Sequence, residues 1–139
     1  MLTIKNNTFL RYVLFADAAT CLITGLAMSV AGGFVAGMTE LPQSLLLVAG
    51  ISLLPFAGLL IYLGSRDEYA AGAFWFVIIV NILWTAASIF LIAGGLVSLN
   101  TFGTFFVILQ ALGVGVFAVL EYVGLRNSLS KSDQSSVSA

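Results

Sequence analysis

The stretch that decides the fold lies near the start of the chain, at residues 17–37, and reads DAATCLITGLAMSVAGGFVAG. It has no charge after its first residue, and small or polar residues recur at every fourth position. A carboxylate at the head of such a row, in a segment otherwise suited to lipid, must face protein or water. The stretch therefore predicts a membrane helix with one polar, closely packed face. The row consists of Asp17, Cys21, Gly25, Ser29, Gly33 and Gly37.

The composition of the whole chain also indicates a membrane protein. Of its 139 residues, 60% are hydrophobic and 8% are charged, against roughly 25% charged in a typical soluble domain. A soluble domain of this length has too little interior to bury so much apolar surface. We therefore expect a single domain whose partner is the lipid bilayer, as a homo-oligomer or within a larger membrane complex. The net charge of −1 provides no basic face, so no nucleic-acid partner is expected.

Few residues with catalytic or metal-binding chemistry are present. The chain has no histidine and a single cysteine, Cys21. This excludes disulfide frameworks, histidine-containing zinc sites, haem held by histidine, and Ser-His or Cys-His nucleophiles. We expect no cofactor, no metal ion and no enzymatic activity.

Four apolar segments are long enough to cross a bilayer, which takes about 20 residues. Glu40 and Pro42 end the first segment, and the charged residues at 66–68 separate the second from the third. Gly94-Gly95 is the expected break in the long uncharged region that follows. The fold class is thus an all-α, polytopic bundle of four transmembrane helices. The expected units are a transmembrane domain at 1–126, with helices at about 9–34, 43–64, 71–95 and 102–125, and a disordered cytoplasmic tail at 127–139.

The positively charged residues indicate the orientation of these helices. All five lie at the same set of helix ends, and the two other loops contain none. The positive-inside rule therefore places both termini and the central charged loop in the cytoplasm. The five residues are Lys5, Arg11, Arg66, Arg126 and Lys131.

The two halves of the chain resemble each other. Residues 60–66 and 120–126 share the pattern Tyr-x-Gly-x-Arg, and the spacing of polar residues at 17–24 matches that at 81–88. Each half crosses the membrane twice, so both halves insert with the same orientation. The pattern predicts two like-oriented hairpins related by a pseudo-twofold axis along the membrane normal. The alternative is chance similarity among spans rich in Leu, Gly and Ala.

Asp17 is the first candidate site residue, with Asn81 as its counterpart in the second half. Each has polar residues on the same helical face, spaced by four and then three, and these include Thr85 and Ser88. If the repeat holds, Asp17 and Asn81 lie at equivalent depths, about 9–15 Å inside the cytoplasmic boundary. One interpretation is a polar pocket between the first and third helices in which Asp17 accepts a proton or cation. The other is a structural hydrogen bond between helices, or an ion pair of Asp17 with Arg66 or Arg126.

Gln110, Glu121 and Trp84 complete the candidate set. Gln110 and Glu121 are close to three turns apart on the fourth helix, so they share a face. Glu121 is expected at the interface, snorkelling or in an ion pair, whereas Gln110 is deeper and either hydrogen-bonded or facing a cavity. Trp84 either lines a pocket or packs. If Asp17 and Glu121 converge, they would share a proton.

The row formed by Gly25, Ser29, Gly33 and Gly37 has the small-xxx-small spacing of closely packed membrane helices. We therefore expect these residues to form a helix crossing with one neighbour. A binding role for them is the less favoured alternative.

The chain resembles a family of small bacterial inner-membrane proteins of about this length, over nearly all of its sequence except the tail. The family has no assigned activity, so the resemblance implies four helices and a bacterial cytoplasmic (inner) membrane. The residues that support it are Leu54-Pro55-Phe56-Ala57, Asn81-x-Leu83-Trp84-x-x-x-Ser88, Thr101-x-Gly103-Thr104, Gln110-Ala111 and Tyr122-x-Gly124-Leu125-Arg126. The plan is also similar to that of the small multidrug transporters, from which the chain departs in its charge bias and in Asp17 where they have glutamate.

Three functions are compatible with these patterns. The first is a non-enzymatic membrane module or accessory subunit, whose polar residues serve packing. The second is a small transporter or channel with a polar pocket around Asp17 and Asn81. The third is an enzyme acting on lipid or quinone, which requires Asp17, Glu121 and a donor such as Tyr122 or Arg126 to meet in one cavity.

Overall fold

The computed structural model describes residues 3–95 and 97–138, with side chains described up to residue 128. Within this part of the chain, four helices are long and apolar enough to cross a membrane. The expected all-helical fold with four such helices is confirmed. The elements, in chain order, are β1 (Thr3–Lys5), α1 (Thr8–Val30), α2 (Gly32–Thr39), α3 (Gln43–Ser65), β2 (Glu68–Ala70), α4 (Ala71–Ala93) and α5 (Thr101–Ser138).

The first helix is shorter than the expected 9–34. α1 ends at Val30, Ala31 has a non-helical ψ of 26°, and α2 begins anew at Gly32. Two consecutive glycines follow Ala31, and glycine is a poor helix former, so the break falls where the helix is weakest. α2 ends where Glu40 adopts a left-handed φ of 62°.

The last helix is longer than expected. The sequence predicts a disordered tail at 127–139, whereas α5 is continuous to Ser138. No glycine or proline follows Gly124, so nothing in this polar segment breaks the helix.

Two short strands, which the sequence did not predict, form an antiparallel ribbon across one end of the bundle. Ile4 pairs with Tyr69, and both side chains are buried while the neighbouring Lys5 and Glu68 are exposed. Asn6 extends the ribbon, because its amide nitrogen donates to carbonyl groups at the carboxyl end of α3, the closest at 2.8 Å. The ribbon thus caps a helix end whose carbonyl groups lack intrahelical partners.

Two further contacts tie the ribbon to the helices. Arg11 of α1 forms a 3.1 Å ion pair with Asp67, which precedes β2. The Ser128 hydroxyl of α5 donates to the Lys5 carbonyl of β1 at 3.0 Å. The start of α1, the end of α3 and the later part of α5 are therefore held at the same end of the molecule.

α1 lies between α3 and α5, and α4 packs on α5. The crossing of α1 with α3 is centred on Gly25 and Gly50, where a β-carbon on either residue would come within about 3 Å of the other helix's backbone. The first half of the small-residue row therefore packs as expected. Gly33 approaches only the Gln43 side chain, and Gly37 has nothing within 4 Å. The expectation for these two residues is wrong because the helix ends at Val30, so α2 does not continue the crossing.

Candidate functional site

Three polar side chains from three helices meet in the interior. Asp17 of α1, Asn81 of α4 and Glu121 of α5 are 1%, 3% and 0% exposed. The Asn81 amide nitrogen donates to Asp17 Oδ2 at 3.0 Å and to Glu121 Oε1 at 2.7 Å. We call these three residues the acid–amide cluster. Because one Asn81 nitrogen donates to both carboxyl groups, the two accepting oxygens are separated by no more than the sum of the two hydrogen-bond lengths.

The remaining oxygens of the two acids differ in their surroundings. Asp17 Oδ1 accepts a 3.6 Å hydrogen bond from the Cys21 thiol, one turn further along α1. Glu121 Oε2 is buried and has no hydrogen-bond partner among the described residues. Within that same part of the chain, the one salt bridge joins Arg11 to Asp67 and includes neither acid of the cluster. The cluster therefore has acceptor capacity that a proton or a small cation can use.

A second polar group connects α4 to α5. Trp84 Nε1 donates to Gln110 Oε1 at 2.7 Å, and Gln110 Nε2 donates to Ser88 Oγ at 2.9 Å. Ser88 Oγ in turn donates to the Trp84 carbonyl at 2.8 Å. Each polar group of this set has a partner, so the set orients Trp84 and holds the two helices together.

Two cavities lie between α3 and α4, with volumes of about 370 Å³ and 230 Å³. The larger one is lined by Asn81 and Cys21 at the acid–amide cluster and by Pro55 of α3. The smaller one is lined by Ser88 and Gln110. Trp84 lines both cavities and separates them. Most of the remaining lining is aliphatic or phenylalanine side chains.

The structure separates the candidate residues that sequence analysis had grouped. Asp17, Asn81 and Glu121 form one site, and Trp84, Ser88 and Gln110 form another. Thr85 belongs to neither, because its hydroxyl donates to the Asn81 carbonyl at 3.0 Å and its side chain is directed toward Gly115, where an added β-carbon would lie 3.7 Å from it.

The expectation that Glu121 snorkels or forms an ion pair at the interface is wrong. Its side chain is fully buried, because β1 and β2 cover this end of the bundle and α5 continues beyond it. Asp17 likewise makes no ion pair with Arg66 or Arg126, both of which are exposed. The convergence of Asp17 with Glu121, which the sequence left as a condition, is present.

The donor that an enzymatic site would need does not join the two acids. Tyr122 is 47% exposed and packs edge-on against Trp75, with ring centroids 6.2 Å apart. Arg126 is exposed as well. These two side chains lie outside the cavities that contain Asn81 and Trp84.

Sequence analysis missed Tyr69. Its hydroxyl group is buried without a hydrogen-bond partner among the described residues. Burial and, secondly, the negative charge of Glu121 raise the pKa of the Tyr69 hydroxyl above its usual range. Strands of three residues are too short to show alternation, so Tyr69 read as part of an aqueous loop.

No protein-family model, curated protein or solved structure matches the chain.

Proposed function

We propose that the protein is a small multi-pass membrane transporter that links the protonation of the acid–amide cluster to the occupancy of the cavities between α3 and α4. The transported solute would be elongated, uncharged and lipophilic. The observation that supports this proposal is that Asn81 both joins the two buried acids and lines the larger cavity. The proposal involves no covalent chemistry.

The cost of burying charge explains why the acid–amide cluster would bind a proton. Moving one ionised carboxylate into a low-dielectric interior costs several kcal/mol even after relaxation. Two adjacent carboxylates without a cation would incur this cost twice and repel each other as well. A proton on one of the acids removes one charge and supplies a donor. The acid–amide cluster therefore favours binding one proton, shared between Asp17 and Glu121.

The volume and the lining of the two cavities indicate the class of solute. In the described part of the chain, α3 and α4 do not pack closely against each other, so the cavities occupy a gap between two apolar helices. Their volumes of about 370 Å³ and 230 Å³ are in the range of small-molecule sites, about 300–1,000 Å³. The lining is apolar apart from a few side chains such as Asn81 and Gln110, so an uncharged solute with one hydrogen-bonding group fits best.

Coupling requires that one group respond to both the proton and the solute. Asn81 meets this requirement because its single amide nitrogen donates to both acids. When one acid is protonated it becomes a donor, and the amide group is then free to reorient toward the cavity. A solute that hydrogen-bonds Asn81 thereby changes the affinity of the acids for the proton, and the effect is reciprocal.

The proposal includes the orientation in a bacterial inner membrane. The ribbon end of the molecule holds Lys5, Arg11, Arg66 and Arg126, whereas the loop around Glu40 at the other end of α3 has no cation. The positive-inside rule then places the ribbon in the cytoplasm. Gly64 and Gly124, the matching glycines of the two halves, both pack against α1 side chains, which supports the proposed internal repeat of like-oriented hairpins.

The test uses purified protein in lipid vesicles and has two measurements. Infrared spectroscopy detects the C=O stretch of a buried carboxylic acid, and a trapped pH-sensitive dye detects proton movement when a short-chain quinone or a medium-chain alcohol is added. We expect both signals in the wild type, and neither in the double variant Asp17→Asn/Glu121→Gln, which removes both acids. Glu68→Gln, which changes an exposed acid, is the matched control and should keep both. A wild type without the acid band, or with dye traces like those of empty vesicles, contradicts the proposal.

One observation favours a second candidate, the non-enzymatic membrane module. The Asn81 amide joins α4 to both α1 and α5, and such bonds hold helices together in lipid. In that case Asp17→Asn and Glu121→Gln would alter stability alone, and no solute would move protons in any variant.

A further inference from the structure

We propose that the proton bound by Asp17 and Glu121 reaches them from the ribbon end of the bundle, through the Tyr69 hydroxyl, and that Tyr69 is the proton relay of this route. This inference rests on the proposed function in one respect, namely that the acid pair binds a proton. It adds a route, a direction and a residue that the cluster itself does not contain.

Tyr69 is placed at the end of the bundle by the ribbon. It is the central residue of β2 and pairs with Ile4, and its side chain is the buried one of the strand. Its ring stacks on Phe74 in the first turn of α4, with centroids 5.6 Å apart. The ring is therefore fixed beneath the ribbon, on the side that faces the helices.

Glu121 lies beneath the same ribbon. It precedes Ser128 by two helical turns, about 10 Å along the axis of α5, and Ser128 is bonded to β1. Two buried side-chain oxygens in the described part of the chain lack a hydrogen-bond partner, and they are Tyr69 Oη and Glu121 Oε2. Buried polar atoms are ordinarily paired, directly or through water. The two oxygens do not bond each other directly, and one water molecule between them would satisfy both.

Tyr69 is among the residues that line a depression on the outer surface of the ribbon. The depression, of about 800 Å³, is lined by Lys5, Asn6, Arg66, Asp67 and Tyr69, among others. Its lining is rich in charged and polar groups, so it holds water. Tyr69 thus lines this depression and is also close enough to Glu121 for the charge of Glu121 to affect it, and Asn81 connects the cluster to the larger cavity. These residues mark the proposed route from the ribbon surface to the cavity.

The transfer is a concerted hop. The Tyr69 O–H bond breaks as its proton moves through the bridging water to Glu121 Oε2, and a new O–H bond forms with a proton from a hydronium ion in the depression, which becomes water. Tyr69 ends in its starting state, and the carboxylate becomes a carboxylic acid. Because burial and the Glu121 charge raise the pKa of Tyr69, a free tyrosinate is disfavoured and the hydroxyl group acts as a relay.

The groups around the acid pair come from every element packed on it. α1 contributes Asp17 and Cys21, α4 contributes Asn81, and β2 contributes Tyr69. Arg11 has the smaller, opposite effect on the pKa of Tyr69. α3 has no charged residue along its length. Tyr69 is thus the one hydroxyl group in this set that lies between the acids and the outer depression.

The experiment follows protonation of the acid pair by time-resolved infrared spectroscopy after a rapid drop in pH, with full-length protein in vesicles. We expect Tyr69→Phe to slow proton uptake at least about ten-fold, since positioned proton relays contribute roughly 10²–10⁴-fold, and to leave the final spectrum unchanged. Tyr62→Phe is the matched control, because Tyr62 lies at the same end and is 54% exposed. It should keep the wild-type rate.

A second measurement uses the wild type alone, so that it stands even if Tyr69→Phe fails to fold. Labelling of Lys5 with a membrane-impermeant amine reagent gives the fraction of molecules whose ribbon faces outward. After acid is added outside, the fraction of fast proton uptake should equal this labelled fraction. Wild-type kinetics in Tyr69→Phe, or a fast fraction that follows the opposite orientation, would overturn the route. A wild type without any carboxylic acid band would instead show that the proposed function has failed.

Discussion

Replacing Asn81 with leucine tests the acid–amide cluster most directly. Leucine has the same branched arrangement of side-chain heavy atoms as asparagine and a larger volume, so the substitution removes the amide and leaves no cavity. Both Asn81 hydrogen bonds, at 3.0 Å and 2.7 Å, are lost. The two acids lose their common donor in a site where Glu121 is fully buried.

The expected cost lies between two limits. A hydrogen bond to a charged group contributes roughly 1.5–3 kcal/mol in soluble proteins, whereas interhelical bonds in a membrane protein average about 0.6 kcal/mol and reach about 1.7 kcal/mol. The acceptors here are buried and at least one of them is charged, so the upper part of the membrane range applies to each bond. We expect Asn81→Leu to lower the free energy of unfolding by about 2–4 kcal/mol.

The measurement is reversible unfolding in mixed micelles with increasing denaturing detergent, followed by circular dichroism. Thr85→Val is the matched control, since Thr85 lies one turn away on α4 and bonds within its own helix; its effect should stay within about 0.5 kcal/mol. The penalty of Asn81→Leu should shrink when Glu121→Leu is already present, because one unpaired acceptor is then gone. An effect of Asn81→Leu no larger than that of Thr85→Val would refute the cluster.

Three further predictions concern packing, pH and orientation. Gly50→Ala places a β-carbon 2.9 Å from backbone atoms of α1 and should destabilise the protein by about 1–3 kcal/mol. Gly58→Ala in the same helix, where an added β-carbon has nothing within 4 Å, should not destabilise it. The same unfolding assay measures both effects. Because the pKa of Tyr69 is raised in the folded state, the unfolded chain releases a proton above about pH 10 that the folded chain retains, so stability should fall there and fall less in Tyr69→Phe. In whole bacteria, a membrane-impermeant thiol reagent should label Glu40→Cys and leave Glu68→Cys unlabelled, and the reverse pattern would invert the proposed orientation.

The sequence identifies the helices and the residues of the cluster better than it identifies their partners. Asp17, Asn81 and Glu121 stand out singly, because each is a polar residue in a segment that lipid would surround. Their convergence depends on the rotation and tilt of three helices, which the period of 3.6 residues does not determine. Glu121 was assigned to the interface from its closeness to Arg126, and that inference failed because a ribbon covers this end of the bundle.

Other features were hidden for different physical reasons. The break after Val30 is visible in Gly32 and Gly33, but Gly33 also belongs to the small-residue row, and that pattern favoured a continuous helix. The ribbon pairs segments far apart in sequence, and each strand has three residues. Pairing of this kind depends on the hairpin bringing both ends together, and no local pattern records it.

The ribbon also has a consequence for how the chain is made. β1 leaves the ribosome before its partner β2, which follows only after α1 and α3 have been synthesised, roughly 3–13 s later at usual elongation rates. The ribbon can thus close the hairpin of α1 and α3 before α4 and α5 have been synthesised. Until α4 and α5 have been synthesised, Asp17 lies in the nascent protein without Asn81 or Glu121 as a partner. Biogenesis therefore requires that this acid be inserted alone, most cheaply in its neutral form, before translation delivers the other two helices.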